Sequence, residues 1–377
     1  MRKKIAFLKT GSFSLVNENL IEIFEQMFSE YDLNVIDVGD VLVKRRRLDI
    51  LLAMLWDYKH EAWKYRREFF TTISSRATWS RTPYYFYQVR KAIRSHLSNW
   101  DEYVFTFQTQ SLFDSNLVYI PHFIYTDHTH LANLRYPMSE STRLFSEKWI
   151  ELEKSIYTSA TKIFSTSKFT ATSLIEDYGV VPHKINVVYS GMNVAVNVDL
   201  STKSYDGKHI LFIGREWERK GGPDLLEAFR KVREQHPTTV LTVVGTSPEI
   251  NEPGVNVVGP VPARDIPKYL LAATVFCMPS LREPSAVALV EAAASGLPVI
   301  TTDIGGTPDR VIHNETGYLV TPGDVDGIAR SLHYLFRHPE MAQQMGAQGR
   351  RLAMNRFVWG KVGERIAAEI HRVLDDL

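Results

Sequence analysis

From residue 208 onward, short apolar runs alternate with segments of helical period, and this alternation constrains the fold more than any other feature. Ile210–Gly214, Val240–Gly245, Val275–Pro279 and Pro298–Thr302 read as strands; Asp224–Gln235, Ile266–Ala272, Val287–Ser295 and Ala329–Phe336 read as the helices between and after them. Strands that are apolar throughout are buried on both faces, so such repeats require a parallel sheet covered by helices on either side. The opening repeats the pattern: Ile5-Ala6-Phe7-Leu8, a turn at Thr10-Gly11-Ser12, helical spacing of Leu20, Ile23, Phe24 and Met27, then an apolar run at Leu33–Ile36. Further strands are expected at Tyr103–Phe107, Val118–Ile120, Phe123–Tyr125, Ile163–Ser165 and Ile185–Tyr189, with helices over Glu140–Ser159 and Ala171–Tyr178. Between Gly191 and Lys208 the periodicity is lost. The expected fold is therefore α/β, two doubly wound, Rossmann-like domains facing a cleft: residues 1–192, a linker at 193–207, and residues 208–356. At 377 residues and 44% hydrophobic content, each half is long enough to bury a core.

Composition narrows the setting. The single cysteine, Cys277, excludes an intrachain disulfide. No apolar run approaches the roughly 20 residues of a membrane span, and the apolar stretch behind the basic start ends at Lys9, too short for a secretory leader. A soluble cytoplasmic protein is the expectation. The net charge of +1 conceals an asymmetry: Lys44 to Arg94 holds thirteen Lys and Arg against four Asp and Glu, so it carries +9 and the remainder −8. Trp56, Tyr58, Trp63, Tyr65, Trp79 and Tyr84–Tyr87 are interleaved with these bases. Such a stretch suits an anionic membrane surface, a single-stranded nucleic acid, or an ordinary helical hairpin whose rings are core, and composition leaves the three open.

Ligands of doubly wound sheets bind beyond the carboxyl ends of the strands, so the strand-to-helix loops are the candidate sites. The first runs from Gly214 through Arg215 and Lys220 to Gly221-Gly222-Pro223. Its glycines would leave N–H groups open to an anion at a helix start, with two cations beside them; a solvated surface loop is the bland alternative. The second places Glu283 before Pro284 and Glu291 along the next helix, about 12 Å further on at 1.5 Å per residue. That exceeds a glycosidase pair but matches the reach from a ribose across a diphosphate to a sugar; taken alone, two glutamates eight apart read as a solvated helix face. In the third, Gly305-Gly306 permits close ligand approach or simply a tight turn. In the first half, Asp127, His128 and His130 cluster, but no further ligand set completes a metal site.

Taken in order, ILFIGREWERKGGPDLLEAF and VVGPVPARDIPKYLLAATVFCMPSLREPSAVALVEAAASGLPVITTDIGGTPDRVIHNETGYLV resemble the family-4 retaining glycosyltransferases of the GT-B fold. Lys162–Ser167, Lys184–Gly191 and the aromatic motif at Arg356–Trp359 extend the resemblance. It implies that residues 1–192 bind the acceptor, that residues 208–356 bind the donor, and that a last helix over 357–377 returns to the first domain. It further implies that Arg215 and Lys220 hold the donor diphosphate and leaving nucleotide, Glu291 the ribose and Glu283 the transferred sugar. Gly214 and the backbone of Ala286 and Val287 would meet phosphate or sugar oxygens, Val261 would face the base, and His128 the donor sugar. The sequence departs from the family pattern in three places. Ser285-Ala286 stands for an aromatic–glycine pair, Pro308-Asp309 for proline–glutamate, and Gly11 alone for a glycine pair.

The resemblance thus implies retaining hexosyl transfer from a nucleotide diphosphate sugar, UDP- or GDP-linked, without cofactor or metal. The acceptor would be a glycan or lipid-linked molecule, with residues 44–94 against an anionic membrane surface at its cytoplasmic face and no nucleic-acid partner. Same-face attack assisted by the leaving phosphate is expected. A non-catalytic nucleotide-sugar-binding protein of the same fold is the alternative.

Overall fold

The computed structural model describes residues 2–12, 15–39, 81–137, 145–194 and 203–377. Their backbone is organised by two six-stranded parallel sheets. The first contains β1 (Lys4–Lys9), β2 (Asp32–Asp37), β3 (Tyr103–Thr109), β4 (His122–Thr126), β5 (Lys162–Ser165) and β6 (Ile185–Val187), in the order β2-β1-β3-β4-β5-β6. The second contains β7 (His209–Ile213), β8 (Val240–Val244), β9 (Val255–Gly259), β10 (Val275–Met278), β11 (Val299–Thr302) and β12 (Gly317–Val320), in the order β12-β11-β10-β7-β8-β9. Each order reverses once, between β1 and β3 and between β7 and β10. At such a reversal the chains leaving neighbouring strands run to opposite faces, and a crevice opens at their carboxyl ends. The loops after β7 and β10 thereby become neighbours.

The helices lie on the sheet faces: α1 (Val16–Met27), α2 (Pro83–His96), α3 (Glu147–Ser159) and α4 (Lys168–Glu176) in the first domain. The second carries α5 (Gly222–Gln235), α6 (Ile266–Ala272), α7 (Val287–Ala294), α8 (Val325–Arg337) and α9 (Pro339–Arg356). The last helix, α10 (Trp359–Asp375), turns back. Its Val362, Ile366 and Ile370 are buried in one cluster with Ile5, Phe7 and Phe24 of the first domain. Gly363 permits this approach, since a Cβ there would lie 2.7 Å from Ile23 Cγ2. No helix among the described residues is long and apolar enough to cross a membrane.

Several elements differ from expectation. Val118–Ile120 is not a strand: Asn116 Oδ1 accepts the Val118 N–H at 2.7 Å, and Val118 sits at φ 69° with Tyr119 exposed. A local side-chain acceptor has captured the donor that a ladder needs. The helix expected from Glu140 starts at Glu147, with Ser146 accepting the Trp149 N–H as its cap; residues 138–144 lie outside the described ones. The edge strands β9 and β12 and the helix α9 had no clear periodic signal. In α9 the pattern is diluted by Gly346, where a Cβ would meet the Gly296 carbonyl oxygen at 2.0 Å. Most of the base-rich stretch also falls outside the described residues. Of its end, α2 buries Phe86, Val89 and Ile93, and Arg90 pairs with Asp114 at 3.0 Å, so this part is core on one face.

The domains meet around Arg310, which is 1% exposed. Its Nε donates to Ser285 O at 2.8 Å and its Nη2 to Thr166 O, at the end of β5, at 2.9 Å. The guanidinium lies 4.5 Å from the Phe357 ring centroid and 5.3 Å from that of Tyr189. Burial pulls its pKa down to about 10, which leaves it charged at neutral pH. Beside it, Asp309 Oδ2 accepts the Lys168 N–H at the start of α4, 2.7 Å away. Arg310→Met keeps the volume but strips donors from two buried carbonyls, each worth roughly 1–3 kcal/mol. The variant should unfold at lower urea, by about 2–6 kcal/mol overall. An unchanged midpoint would deny Arg310 that role.

Candidate functional site

Three loops of the second domain converge on the β7/β10 crevice. The first leaves β7 at Gly214 and folds on itself. Gly221 N–H donates to Glu218 O at 3.0 Å and Gly222 N–H to Trp217 O at 2.8 Å. The open anion donors expected from this glycine pair are therefore spent within the loop. The glycines serve packing: at Gly221 (φ 73°) a Cβ would lie 1.8 Å from Pro279 O, and at Gly222 2.1 Å from the Trp217 ring. What the loop presents to the cleft is cationic. Arg215 is exposed and has no hydrogen bond or ion pair among the described residues, and Lys220 reaches the second loop.

There Glu283, 5% exposed, pairs with Lys220 Nζ and accepts the Ala286 N–H at 2.9 Å. Burial pushes its pKa up, but Lys220, Arg219 and the Ala286 N–H outweigh this and hold the carboxyl below its ordinary range. The Ala286 N–H, expected on a donor oxygen, is thus engaged by Glu283. Ala286 starts α7 at φ 53°, so this alanine keeps the left-handed backbone that suits a glycine, at a strain of about 1–2 kcal/mol. In the third loop, Gly305 and Gly306 would each place a Cβ 2.1 Å from a carbonyl oxygen, of Glu283 and Pro284 respectively. Gly306 N–H donates to Glu283 O at 2.9 Å. This glycine pair, too, answers to the neighbouring loop rather than to a ligand.

A cavity of about 720 Å³ gathers Gly214, Arg215, Lys220, Glu283, Ala286 and Val287 from the second domain with Asp127 and His128 from the first. A second, of about 750 Å³, shares Asp127 and His128 and extends to Gln110 and Ser111 behind β3. Together they span the reversal points of both sheets. Two expected residues do not line the donor-side cavity. Val261 packs against the second domain's core, and Glu291 accepts the N–H groups of Asn193 and Val194, both at 3.1 Å. Part of the expected linker is likewise fixed, because Tyr205 OH donates to Gly296 O at 2.8 Å; residues 195–202 lie outside the described ones.

His128 is held neutral, its pKa driven down to about 4 by burial, with its ring stacked on that of Phe169. It can exchange hydrogen bonds with a ligand but brings no charge. His130 Nε2 accepts the Phe145 N–H at 2.9 Å, which removes that nitrogen from metal binding. Among the described residues no three His, Cys, Asp or Glu side chains group as a metal site. Sequence reasoning missed Arg219, which pairs with Glu216 at 2.8 Å and donates to Arg282 O at 2.7 Å, although it stands between two chosen residues. It also considered Asp127 only as a metal ligand.

The model of the glycosyl transferases group 1 matches residues 201–352, and that of Glycosyltransferase Family 4 matches residues 49–196. The chain belongs to the family 4 glycosyltransferases. It is 31% identical over 176 residues to the GDP-mannose-dependent alpha-(1-6)-phosphatidylinositol monomannoside mannosyltransferase of Mycolicibacterium smegmatis, covering 42% of this chain and 46% of that one. The chain spans about half the length of the curated relatives it matches. Its fold is that of GT-B proteins. Sucrose-phosphate synthase from Thermosynechococcus elongatus superposes with a TM-score of 0.69 at 17% identity, over 100% of both chains. Anabaena HepE, solved with UDP-glucose, does so with 0.65 at 16% identity, over 98% of this chain and 100% of that one.

Within this family 4 chain, Glu291 carries a measurable signature. Burial lifts its pKa from 4.5 to about 7, partly offset by the two N–H groups it accepts. The folded chain then holds a proton that the unfolded chain has already released, so stability falls as pH rises through the interval from about 4.5 to 7. Glu291→Gln should flatten the decline of Tm between those pH values. Parallel Tm–pH curves for variant and wild type would contradict the assignment.

Proposed function

We propose that the chain is a metal-independent, retaining glycosyltransferase that moves a hexosyl group from a UDP- or GDP-linked sugar to a glycan or lipid-linked acceptor. The observation that carries this is the convergence in one cavity of Arg215 and Lys220 with Asp127 and His128 of the opposite domain. A diphosphate leaving group gathers negative charge as the anomeric bond breaks. Positioned cations in a partly water-excluded cleft stabilise that charge, the role a metal plays elsewhere. Arg215 and Lys220 stand on the donor side, Glu283 offers its carboxylate to sugar hydroxyls, and neutral His128 faces them from the first domain. Glu291, one turn into α7, does not line this cavity and is left out of the donor contacts. The acceptor would enter through the cavity behind β3, and its attack on the face the nucleotide leaves gives retention. The GDP-mannose dependence of the mycobacterial relative and the HepE complex with UDP-glucose support the donor class. The same relative's phosphatidylinositol monomannoside supports a lipid-borne acceptor.

A thermal-shift screen of UDP, GDP, ADP and their sugars tests donor binding: the matching nucleotide should raise Tm, by about 2.7 kcal/mol of stability at one hundred times Kd. Flat curves throughout would reject the reading. Arg215→Ala should leave Tm unchanged and lower kcat by about 10²-fold, because it removes a charge with no hydrogen bond or ion pair among the described residues. Lys220→Ala should lower both, since it strands the buried Glu283 carboxylate. Equal kcat for Arg215→Ala and wild type would remove the diphosphate assignment. A membrane-borne acceptor further predicts salt-sensitive co-sedimentation with phosphatidylglycerol vesicles through residues 44–94. Absence of pelleting at low salt would count against membrane docking.

A further inference from the structure

Three guanidinium groups, those of Arg81, Arg219 and Arg282, line both cavities, whereas Arg215 and Lys220 line only the donor-side one of the two. A diphosphate held by Arg215 and Lys220 therefore leaves further cations without an assigned anion. Arg219 is spoken for, because Glu216 accepts from its Nε and Nη2, each at 2.8 Å. Its remaining task is to fix the main chain beside it. Arg219 Nη1 donates to Arg282 O at 2.7 Å, and the Leu281 N–H donates to Arg219 O at 2.9 Å. The side chain of Arg282 itself is exposed and has no hydrogen bond or ion pair among the described residues. Arg81 comes from the other domain and lies 5.2 Å from the centroid of the Phe145 ring, which lines the acceptor-side cavity. The charge of both is felt there. Arg282 and Arg81 add to burial in holding His128 neutral, and Arg81 does the same at His130. The carboxyls of that cavity answer it only in part: burial lifts Glu153 to about 7 and Asp127 to about 6, and Glu218 is exposed to solvent.

We propose that the acceptor is a phosphate ester, its phosphate held between Arg282 of the donor domain and Arg81 of the acceptor domain. This deepens the transferase reading and rests on it. A guanidinium presents a planar fork of donors that matches two oxygens of one phosphate, so two forks from opposite domains read a phosphate by shape as well as by charge. Asn133, Tyr136 and the neutral His128 line the same cavities and offer uncharged polar groups to the sugar or polyol that bears the phosphate. Because one guanidinium belongs to each domain, the phosphate is bound only where both walls contribute. The same chemistry is presented by a soluble sugar or polyol phosphate and by the phosphodiester of a lipid headgroup.

The test saturates wild type with the nucleoside diphosphate that raises Tm most. Glucose 6-phosphate, inositol 1-phosphate and glycerol 3-phosphate are then titrated at constant ionic strength, each beside its unphosphorylated parent. At least one ester should raise Tm further, and its parent should not. Arg282→Gln should weaken the Kd of that ester by about tenfold or more. Arg215→Ala should weaken the nucleotide and leave the ester bound. Vesicles of phosphatidylinositol in phosphatidylcholine separate the two sources. Pelleting of wild type that Arg282→Gln reduces assigns the phosphate to a headgroup, and a response to the soluble esters alone assigns it to a free sugar or polyol phosphate. The proposal is overturned by no response to any ester or vesicle, or by a parent that matches its ester; these arms need no variant to be folded. An ester response that disappears once nucleotide saturates also overturns it, since the arginines then serve the donor. So does an unchanged Kd in Arg282→Gln. A chain that binds no nucleotide fails the transferase reading and takes this proposal with it, whereas bound nucleotide without ester binding fails the proposal alone.

Discussion

The ion pair between Lys220 and Glu283 is the interaction on which the site's geometry depends. A carboxylate buried at the carboxyl edge of a parallel sheet is costly unless a cation and further donors meet it. Lys220 arrives from the loop after β7, the Ala286 N–H from the start of α7, and the Gly306 N–H meets the same residue's carbonyl from the loop after β11. One residue thereby ties together three segments that are distant in the chain. Their spacing is set before any substrate arrives, which is the preorganisation that electrostatic catalysis requires.

A second buried cation performs a different task. Among the described residues Arg310 has no carboxylate at hydrogen-bonding distance; its Nε and Nη2 donate to carbonyls and hydroxyls from both domains, and two aromatic rings lie against it. Because Ser285 is one of its partners and Thr166 another, the loop bearing Glu283 is fixed against the end of β5 in the first domain. Helix α10 adds an apolar tie from the second domain to α1. The cleft between the two sheets therefore has defined walls. Asp127 and His128, which line both cavities, lie between groups that are each held from their own side.

Residues within a single loop were the most legible in the sequence. Strand ends, helix starts and charged residues between them follow from local periodicity, so Arg215, Lys220 and Glu283 were identifiable. The roles of the glycines were not. Gly221, Gly222, Gly305 and Gly306 looked like room for a ligand, and the structure shows that neighbouring loops occupy the space a side chain would need. Val118–Ile120 looked like a strand because its apolar residues are β formers, whereas the Asn116 side chain decides its backbone. Glu291 was placed on the right helix, but its partners, Asn193 and Val194, belong to a segment with no periodic signal.

The alternation of apolar runs with helix-period segments by itself determined two doubly wound domains, because an all-apolar strand has nowhere to lie except between two helical layers. The motif spacing determined which loops carry charge at the carboxyl ends of the strands. Only the tertiary structure decided which charges are spent on one another and which remain for chemistry. Among the described residues, Lys220 proved to be shared with Glu283, Arg215 to have no ion pair, and Asp127 to be the carboxylate common to both cavities. Pairing and burial depend on distances between segments remote in sequence, and local pattern carries no information about those distances.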